Sequence, residues 1–298
     1  MNRRHFVLGA AALAASGIAR TARAAAPVAG RVTLLHTNDT HSRLEPFERG
    51  KLQGQGGIAR RAALIARIRA AQPHTLVLDA GDIFQGTPYY NAFGGCAEFE
   101  TMSAAGYDAV TLGNHDFDKG VEALVRAMQF ARFSFLSANY DVDDAGLRAR
   151  VTPYEVREVG GRRIGLFGLG VSFANLVAAS LHKGVRYREP IPVARAMVET
   201  LRRDHGVDAV VAISHLGYFG HDAEPGDVEL AEAVPGIDVI IGGHTHTFLE
   251  APHWVRPATP TACAIMQVGS SGTHLGQVDL TFGVGGTRVA ARAHPILA

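Results

Sequence analysis

The residues able to do chemistry stand at the ends of short apolar runs. Val32–Thr37 is followed by Asn38-Asp39-Thr40-His41, and Thr75–Leu78 by Asp79-Ala80-Gly81-Asp82. Ala109–Leu112 leads into Gly113-Asn114-His115-Asp116, Ala209–Ile213 into Ser214-His215, and Val239–Ile241 into Gly242-Gly243-His244-Thr245-His246. In open α/β sheets, ligands gather beyond the carboxyl ends of strands. Five such ends converging would put several carboxylates and imidazoles in one cleft, a costly burial unless cations compensate it. Asp39-x-His41 and His244-x-His246 have period-two spacing, which in an extended segment places both members on one side. The glycines before Asp82, Asn114 and His244 permit sharp turns and close backbone approach. Mixed imidazole and carboxylate donors suit Zn, Mn, Fe or Co rather than an all-oxygen Ca or Mg site. A single His or Asp at a strand end is ordinarily a cap or turn residue; five clusters at five strand ends are not explained that way.

The elements that must position these residues follow from the hydrophobic pattern. The five runs, and Ser134–Ser137 with them, are rich in apolar residues with little polar alternation, as expected of strands covered on both faces. Gly57–Ala71, Val121–Phe130 and Val193–His205 carry helical periodicity. Tyr154–Val159 and Arg163–Gly168 flank Gly160-Gly161, which predicts a hairpin. Ala264–Val268, Leu275–Phe282 and Thr287–Ala293 read as further strands, the last two paired around Gly283–Gly286. Together they predict one α/β domain with two packed sheets and outer helices, and no room for a second domain. A chain of 298 residues, 47% hydrophobic, is ample for such a core. The net charge of +1 gives no electrostatic case for nucleic-acid binding. Cys96 and Cys263 form no metal or redox motif and are read as unpaired thiols, with a single bridge as the alternative.

The chain begins Met1-Asn2-Arg3-Arg4-His5-Phe6, followed by an Ala- and Gly-rich apolar stretch to Ala19 and a small-x-small site, Ala22-Arg23-Ala24. The stretch is shorter than the ~20 residues that span a bilayer. Residues 1–24 therefore read as a removable signal rather than an anchor. The arginine pair before a weakly hydrophobic segment resembles a twin-arginine signal, so a periplasmic or secreted location is expected, with no membrane span.

In order, Asp39-x-His41, Gly81-Asp82, Gly113-Asn114-His115-Asp116, His215 and Gly243-His244-x-His246 resemble the motif set of the calcineurin-like metallophosphoesterases. The longer strings HTNDTHSRLEP, DAGDIFQGTP, LGNHDFDKG and GGHTHT are similar to the 5'-nucleotidase branch, and the resemblance runs from about residue 31 to 282. It implies a four-layer α/β sandwich, two packed mixed sheets flanked by helices, with residues 25–298 as the catalytic domain. It implies two divalent transition metal ions. One would be held by Asp39, His41, Asp82 and His246, the other by Asp82, Asn114, His215 and His244, with Asp82 bridging. It implies hydrolysis of a small phosphate ester, a nucleotide among the candidates, by metal-activated water. His115 would stabilise the transition state or protonate the leaving alcohol, oriented by Asp118. Asp116 is given a structural role.

The same two-metal chemistry would serve a cyclic-nucleotide or nucleotide-sugar phosphodiesterase. A related thiosulfohydrolase branch departs in the last motif, where His244 before Thr245 speaks for a phosphatase. The alternative from another class is a non-catalytic binding protein stabilised by its metals. Such a protein would tolerate losing a ligand, His115 or Asp118, and none is lost. Secreted 5'-nucleotidases carry a second, carboxyl-terminal domain that binds the nucleoside. This chain is expected to lack it, so either simpler esters are its substrates or a separate protein supplies that domain. His36 is expected to be a satisfied core residue or to support the ligands from behind. His74, His182, His205, His221, His253, His274 and His294 match no motif. Phe84–Thr87 is expected to line the cleft mouth or simply to pack, and Asn139 to support the ligands from behind.

Overall fold

The computed structural model describes residues 30–255, 262–283 and 286–297. The expected export signal, residues 1–24, lies outside the described residues. The chain alternates strand and helix through its first half. β1 (Arg31–Thr37), α1 (Ile58–Ala71) and β2 (Thr75–Asp79) are followed by α2 (Pro88–Phe93) and α3 (Cys96–Ala105). Next come β3 (Ala109–Thr111), α4 (Gly120–Ala127), β4 (Ser134–Leu136), β5 (Tyr140–Val142), α5 (Ala145–Arg148) and β6 (Val151–Thr152). The hairpin β7 (Tyr154–Val159) and β8 (Arg162–Gly170) opens the second half, with β9 (Val185–Tyr187), α6 (Pro190–Glu199), β10 (Ala209–His215), α7 (Asp227–Ala233) and β11 (Val239–Ile241) after it. β12 (His253–Val255), β13 (Cys263–Met266), β14 (His274–Gly283) and β15 (Gly286–Pro295) complete the order.

Two mixed sheets result, ordered β15-β14-β1-β2-β3-β4-β6 and β12-β13-β11-β10-β8-β7, with β5 and β9 as a separate pair. β1, β2 and β3 run parallel in the first sheet, and β10 and β11 in the second. Their inner faces meet through Val32, Leu34, Leu78, Leu166, Val211 and Ile241, among others. The outer face of the first sheet packs under α1, α3 and α4 through residues such as Val77, Ile65, Phe99 and Leu124. The outer face of the second packs under α6 and α7 through Phe167, Val210, Val193 and Leu230. Helix, sheet, sheet and helix thus form four layers, as expected. Both faces of the central strands are covered, which is why their sequences read as unbroken apolar runs.

The two sheets approach closely at Gly168 of β8, where an added Cβ would stand 2.1 Å from the Leu136 carbonyl oxygen. The predicted helix over 193–205 starts earlier, at Pro190, because proline is well suited to the first helical turn, and it ends in a π-helical turn over Thr200–Asp204. The helix over 121–130 closes in a 3-10 turn, Met128–Phe130. Cys96 and Cys263 are free thiols. Among the described residues, no helix is long and apolar enough to cross a membrane.

Candidate metal centre

The loops that leave β1, β2, β3, β10 and β11 come together at one end of the sandwich. Asp39, His41 and His246 form one group whose ligand atoms all lie within 4.8 Å of one another, and Asp82, His215 and His244 form a second. A cleft of about 450 Å³ is lined by His41, Asp82, Asn114, His115, His244 and His246, with Arg43, Gln85, Gly86, Leu176 and Ser271 around them. All seven candidate ligands are therefore in or beside one site. The expected period-two reason for it is wrong, however. Asp39 (φ 48°), His41 (φ 47°), His244 (φ 73°) and His246 (φ 54°) are left-handed rather than extended, as is Asp82 (φ 53°). Tight left-handed turns, not strand alternation, aim these side chains. Such backbone is costly for non-glycine residues and concentrates at functional sites.

Neighbouring groups hold the turns in place. The His244 backbone N–H donates to both Asp39 carboxylate oxygens, at 3.1 and 3.0 Å, tying the loop of one sheet to the other. Asn38 Nδ2 donates to Asp39 Oδ2 at 2.6 Å, and its own Oδ1 accepts the Val268 N–H at 3.0 Å. Gln267, at the end of β13, donates to the Gly243 carbonyl at 2.7 Å and accepts from the Thr247 N–H. Asp116 has the structural role expected of it, since its carboxylate accepts from the N–H groups of Ile83, Phe84 and Gly113 at 3.1, 3.2 and 2.8 Å. Burial, and then the charge of Asp82, lift its pKa to about 7. Asp227 stands behind the second group, accepting from Ser214 Oγ at 2.5 Å. Burial raises its pKa well above the carboxylate range.

The donor set fits cations. His41 Nδ1 lies 3.2 Å from the Phe84 carbonyl, which leaves Nε2 as the lone-pair nitrogen, and that atom faces His246 Nε2 at 2.9 Å. His215 Nδ1 is committed to the Ala80 carbonyl at 2.6 Å. Its Nε2, 3.1 Å from Asp82 Oδ2, has no hydrogen-bond partner, and neither does the buried Asn114 Oδ1. Metal-binding imidazoles are fixed in this way by the bond their other nitrogen makes. Burial, and then His215, hold His244 down to about 4, and burial lowers His41, which favours the neutral form that a metal ligand needs. Burial also pulls His215 down, but the adjacent Asp82 carboxylate outweighs it and lifts the pKa to about 10. Burial pushes Asp82 itself upward, but His215 outweighs that and holds it below the carboxylate range.

His115 and Asp118 stand together beside these groups. His115 Nδ1 is 2.9 Å from Asp118 Oδ2, and the His115 ring packs edge-on to His41 with centroids 5.4 Å apart. The hydrogen bond to Asp118 raises the His115 pKa against the pull of burial.

The sequence profile of the calcineurin-like phosphoesterases matches residues 32–248. The chain belongs to that family. It is 32% identical over 288 residues to the snake venom 5'-nucleotidase of Gloydius brevicauda, covering 89% of this chain and 48% of that one. It is 31% identical over 296 residues to the 5'-nucleotidase of Homo sapiens, covering 91% and 50%. The crystal structure of a 5'-nucleotidase precursor from Thermus thermophilus superposes with a TM-score of 0.80 at 34% identity, covering 90% of this chain and 55% of that one. The chain thus spans about half the length of the curated relatives it matches. The family's dinuclear metal site accords with the two donor groups found in the cleft.

Some expectations need correction. His36 is fully buried but neither ring nitrogen has a hydrogen-bond partner, so it is not satisfied, and burial drives its pKa to about 3. Its ring rests against the backbone of Gly276, where a Cβ would stand 1.9 Å from Nε2. Asn139 bonds reciprocally with Gly170, at 2.8 Å both ways, and makes no hydrogen bond to any candidate ligand. Of Phe84–Thr87, Gln85 and Gly86 line the cleft, Phe84 is buried against Tyr90 and Phe99, and Thr87 caps α2. Arg43 and Gln267 were missed. Arg43 sits two residues past His41, and Gln267 is one more polar residue at a strand end, so both carried a readable signal.

The glycines do what was expected. A Cβ on Gly113 would stand 2.2 Å from Asp82 Oδ1 and 2.5 Å from the Asp82 nitrogen. Gly113→Ala is expected to destabilise the fold by about 1–3 kcal/mol, as overpacking does, and to lower metal-dependent turnover by displacing Asp82. Thermal unfolding and activity of the purified variant check both effects.

Proposed function

We propose that this chain is a metal-dependent hydrolase of phosphate esters, a 5'-nucleotidase-like phosphomonoesterase. The observation that carries the reading is the His115–Asp118 pair set against two converging His/Asp groups. A metal staple alone has no use for a protonatable imidazole held by its own carboxylate. Asp39, His41, Asp82 and His246 would hold one divalent ion, and Asp82, Asn114, His215 and His244 the other, with Asp82 shared. Bound there, the ions supply charge neutralisation at the phosphate and a water of lowered pKa. The protein's own groups do the rest. Asp118 engages His115 Nδ1, so Nε2–H is the proton His115 can offer to the leaving oxygen. Arg43 lines the cleft with its guanidinium over the Phe47 ring, 4.2 Å from the centroid, and would offer positive charge to phosphate oxygens.

Turnover of a panel of mononucleotides, cyclic nucleotides, nucleotide sugars and simple esters, with added Mn or Co and after chelation, tests this. Monoester hydrolysis that chelation abolishes is the expected result. Preference for cyclic nucleotides or nucleotide sugars would favour the phosphodiesterase reading, and no turnover with any metal would favour a binding protein. Residues 1–24 are proposed as a twin-arginine signal, giving a periplasmic or secreted protein. Replacing Arg3 and Arg4 by Lys is expected to stop export of the folded protein, read by cell fractionation.

A further inference from the structure

A second cavity, of about 700 Å³, opens beside the metal cleft, and the two share Leu176 and His244 in their walls. The rest of its lining comes from two irregular segments, residues 171–176 after β8 and 216–224 after β10, and from Thr245 and Thr247 beside His244. Leu216 is buried, whereas Leu176 and Phe219 leave 44% and 56% of their surface in solvent. The wall is nonetheless anchored. The Tyr218 N–H donates to Thr245 Oγ1 at 3.0 Å, fixing it to the turn that carries His244. The Tyr218 and Phe219 rings meet edge-on, centroids 4.5 Å apart. The far end is held where the Tyr187 hydroxyl donates to Glu224 Oε2 at 2.7 Å.

Charge separates the two compartments. The metal cleft carries the histidines and Arg43. The second cavity is lined by no Arg or Lys; its lining includes Asp222 and Glu224, with His221 3.2 Å from the Asp222 carboxylate. An anion is disfavoured there and an uncharged apolar group is favoured. A ligand pocket is typically a concave, mostly apolar space of ~300–1,000 Å³ with a few polar groups for orientation, which describes this one.

We propose that this cavity is the leaving-group subsite, and that it takes an uncharged alcohol bearing an aromatic ring, with Leu176, Tyr218 and Phe219 as its apolar walls. This rests on the function proposed above. The phosphate then lies in the metal cleft with its ester oxygen in reach of His115, and the alcohol extends past Leu176 and His244 into the second cavity. Binding energy from the ring then adds to kcat/KM for bulky esters and is unavailable to small ones.

The test compares 2-naphthylmethyl phosphate with ethyl phosphate, whose alcohols are of similar acidity, on the metal-loaded protein. The naphthylmethyl ester is expected to have a kcat/KM about 30-fold higher or more, the gain expected from burying a large ring. Phe219→Ser and Leu176→Ser, both at exposed positions, are each expected to cut that ratio about three- to tenfold. Phe130→Ser, an exposed phenylalanine outside both cavities, keeps it. A ratio near one, or a ratio untouched by both pocket variants, overturns the proposal, and so does a pocket variant that changes only the oligomeric state. If no ester is turned over, the functional reading has failed, and the cavity is judged separately by the fluorescence of 2-naphthylmethanol with metal-free protein. Saturable binding that Phe219→Ser weakens supports the subsite; no binding overturns it.

Discussion

His115→Ala is expected to lower kcat by about 10²–10⁴-fold, the usual worth of a positioned general acid, with a much smaller change in KM. The expectation follows from what the ring does and does not touch. Its Nδ1 is engaged by Asp118, and it lines the cleft without belonging to either donor group. Its loss should therefore spare the groups proposed to bind metal. Asp118→Asn separates positioning from acidity. Asp118 raises the His115 pKa, so the imidazolium persists to higher pH than an ordinary histidine would allow. Activity that needs this acid falls as pH rises through the folded-state pKa. Removing the carboxylate charge must then move the falling limb of the pH profile to lower pH. A His115→Ala enzyme at full rate would sink the assignment. A limb that Asp118→Asn leaves in place would sink the pairing.

Much of this site was legible because the boundary between an apolar run and a polar cluster is a sharp signal. β1, β2, β3, β10 and β11 are buried along nearly their whole length, so the first polar residues after each run had to mark the layer's edge. What periodicity could not reach was the backbone beyond that edge. The left-handed turns at Asp39, His41, Asp82, His244 and His246 follow from cross-sheet bonds such as His244 to Asp39, which no local pattern encodes. α3 was missed because polar residues interrupt its buried face: Glu98 and Ser103 are both buried within it. Ser42 donates to Glu98 Oε1 at 2.5 Å, and Ser103 Oγ donates to the Phe99 carbonyl at 2.7 Å. The walls of the larger cavity were invisible for a similar reason, since residues 171–176 and 216–224 have no regular period. His36 misled in the opposite direction. A histidine in a buried strand reads as satisfied, yet the missing side chain at Gly276 lets its ring pack as an apolar plate.

Loss of the Asp82 charge is expected to remove the stabilisation that divalent metals give this protein. Asp39 and Asp82 are both buried. Among the described residues, their ion-pair partners are histidines alone, His246 and His215. Two buried carboxylates without Arg or Lys are poorly compensated, whereas a bound cation supplies the missing charge. Anything that binds only the folded state stabilises it by RT ln(1 + [L]/Kd), about 2.7 kcal/mol per site at a hundredfold excess over Kd. For a chain of this size that corresponds to a rise in Tm of about 5–10 °C. Mn, Co or Zn added to chelator-treated protein should produce it. Asp82→Asn keeps the shape of the side chain and its ability to accept the His115 N–H, which Asp82 Oδ1 takes at 2.8 Å, so the variant should still fold. If the carboxylate serves both ions, the metal-induced shift should be lost for both, not halved. Asp143→Asn, at an exposed carboxylate paired with Arg186, should keep the full shift. A full metal-induced shift in Asp82→Asn would show that the two donor groups bind without it, and a half-sized one would confine Asp82 to the group it shares with His215 and His244.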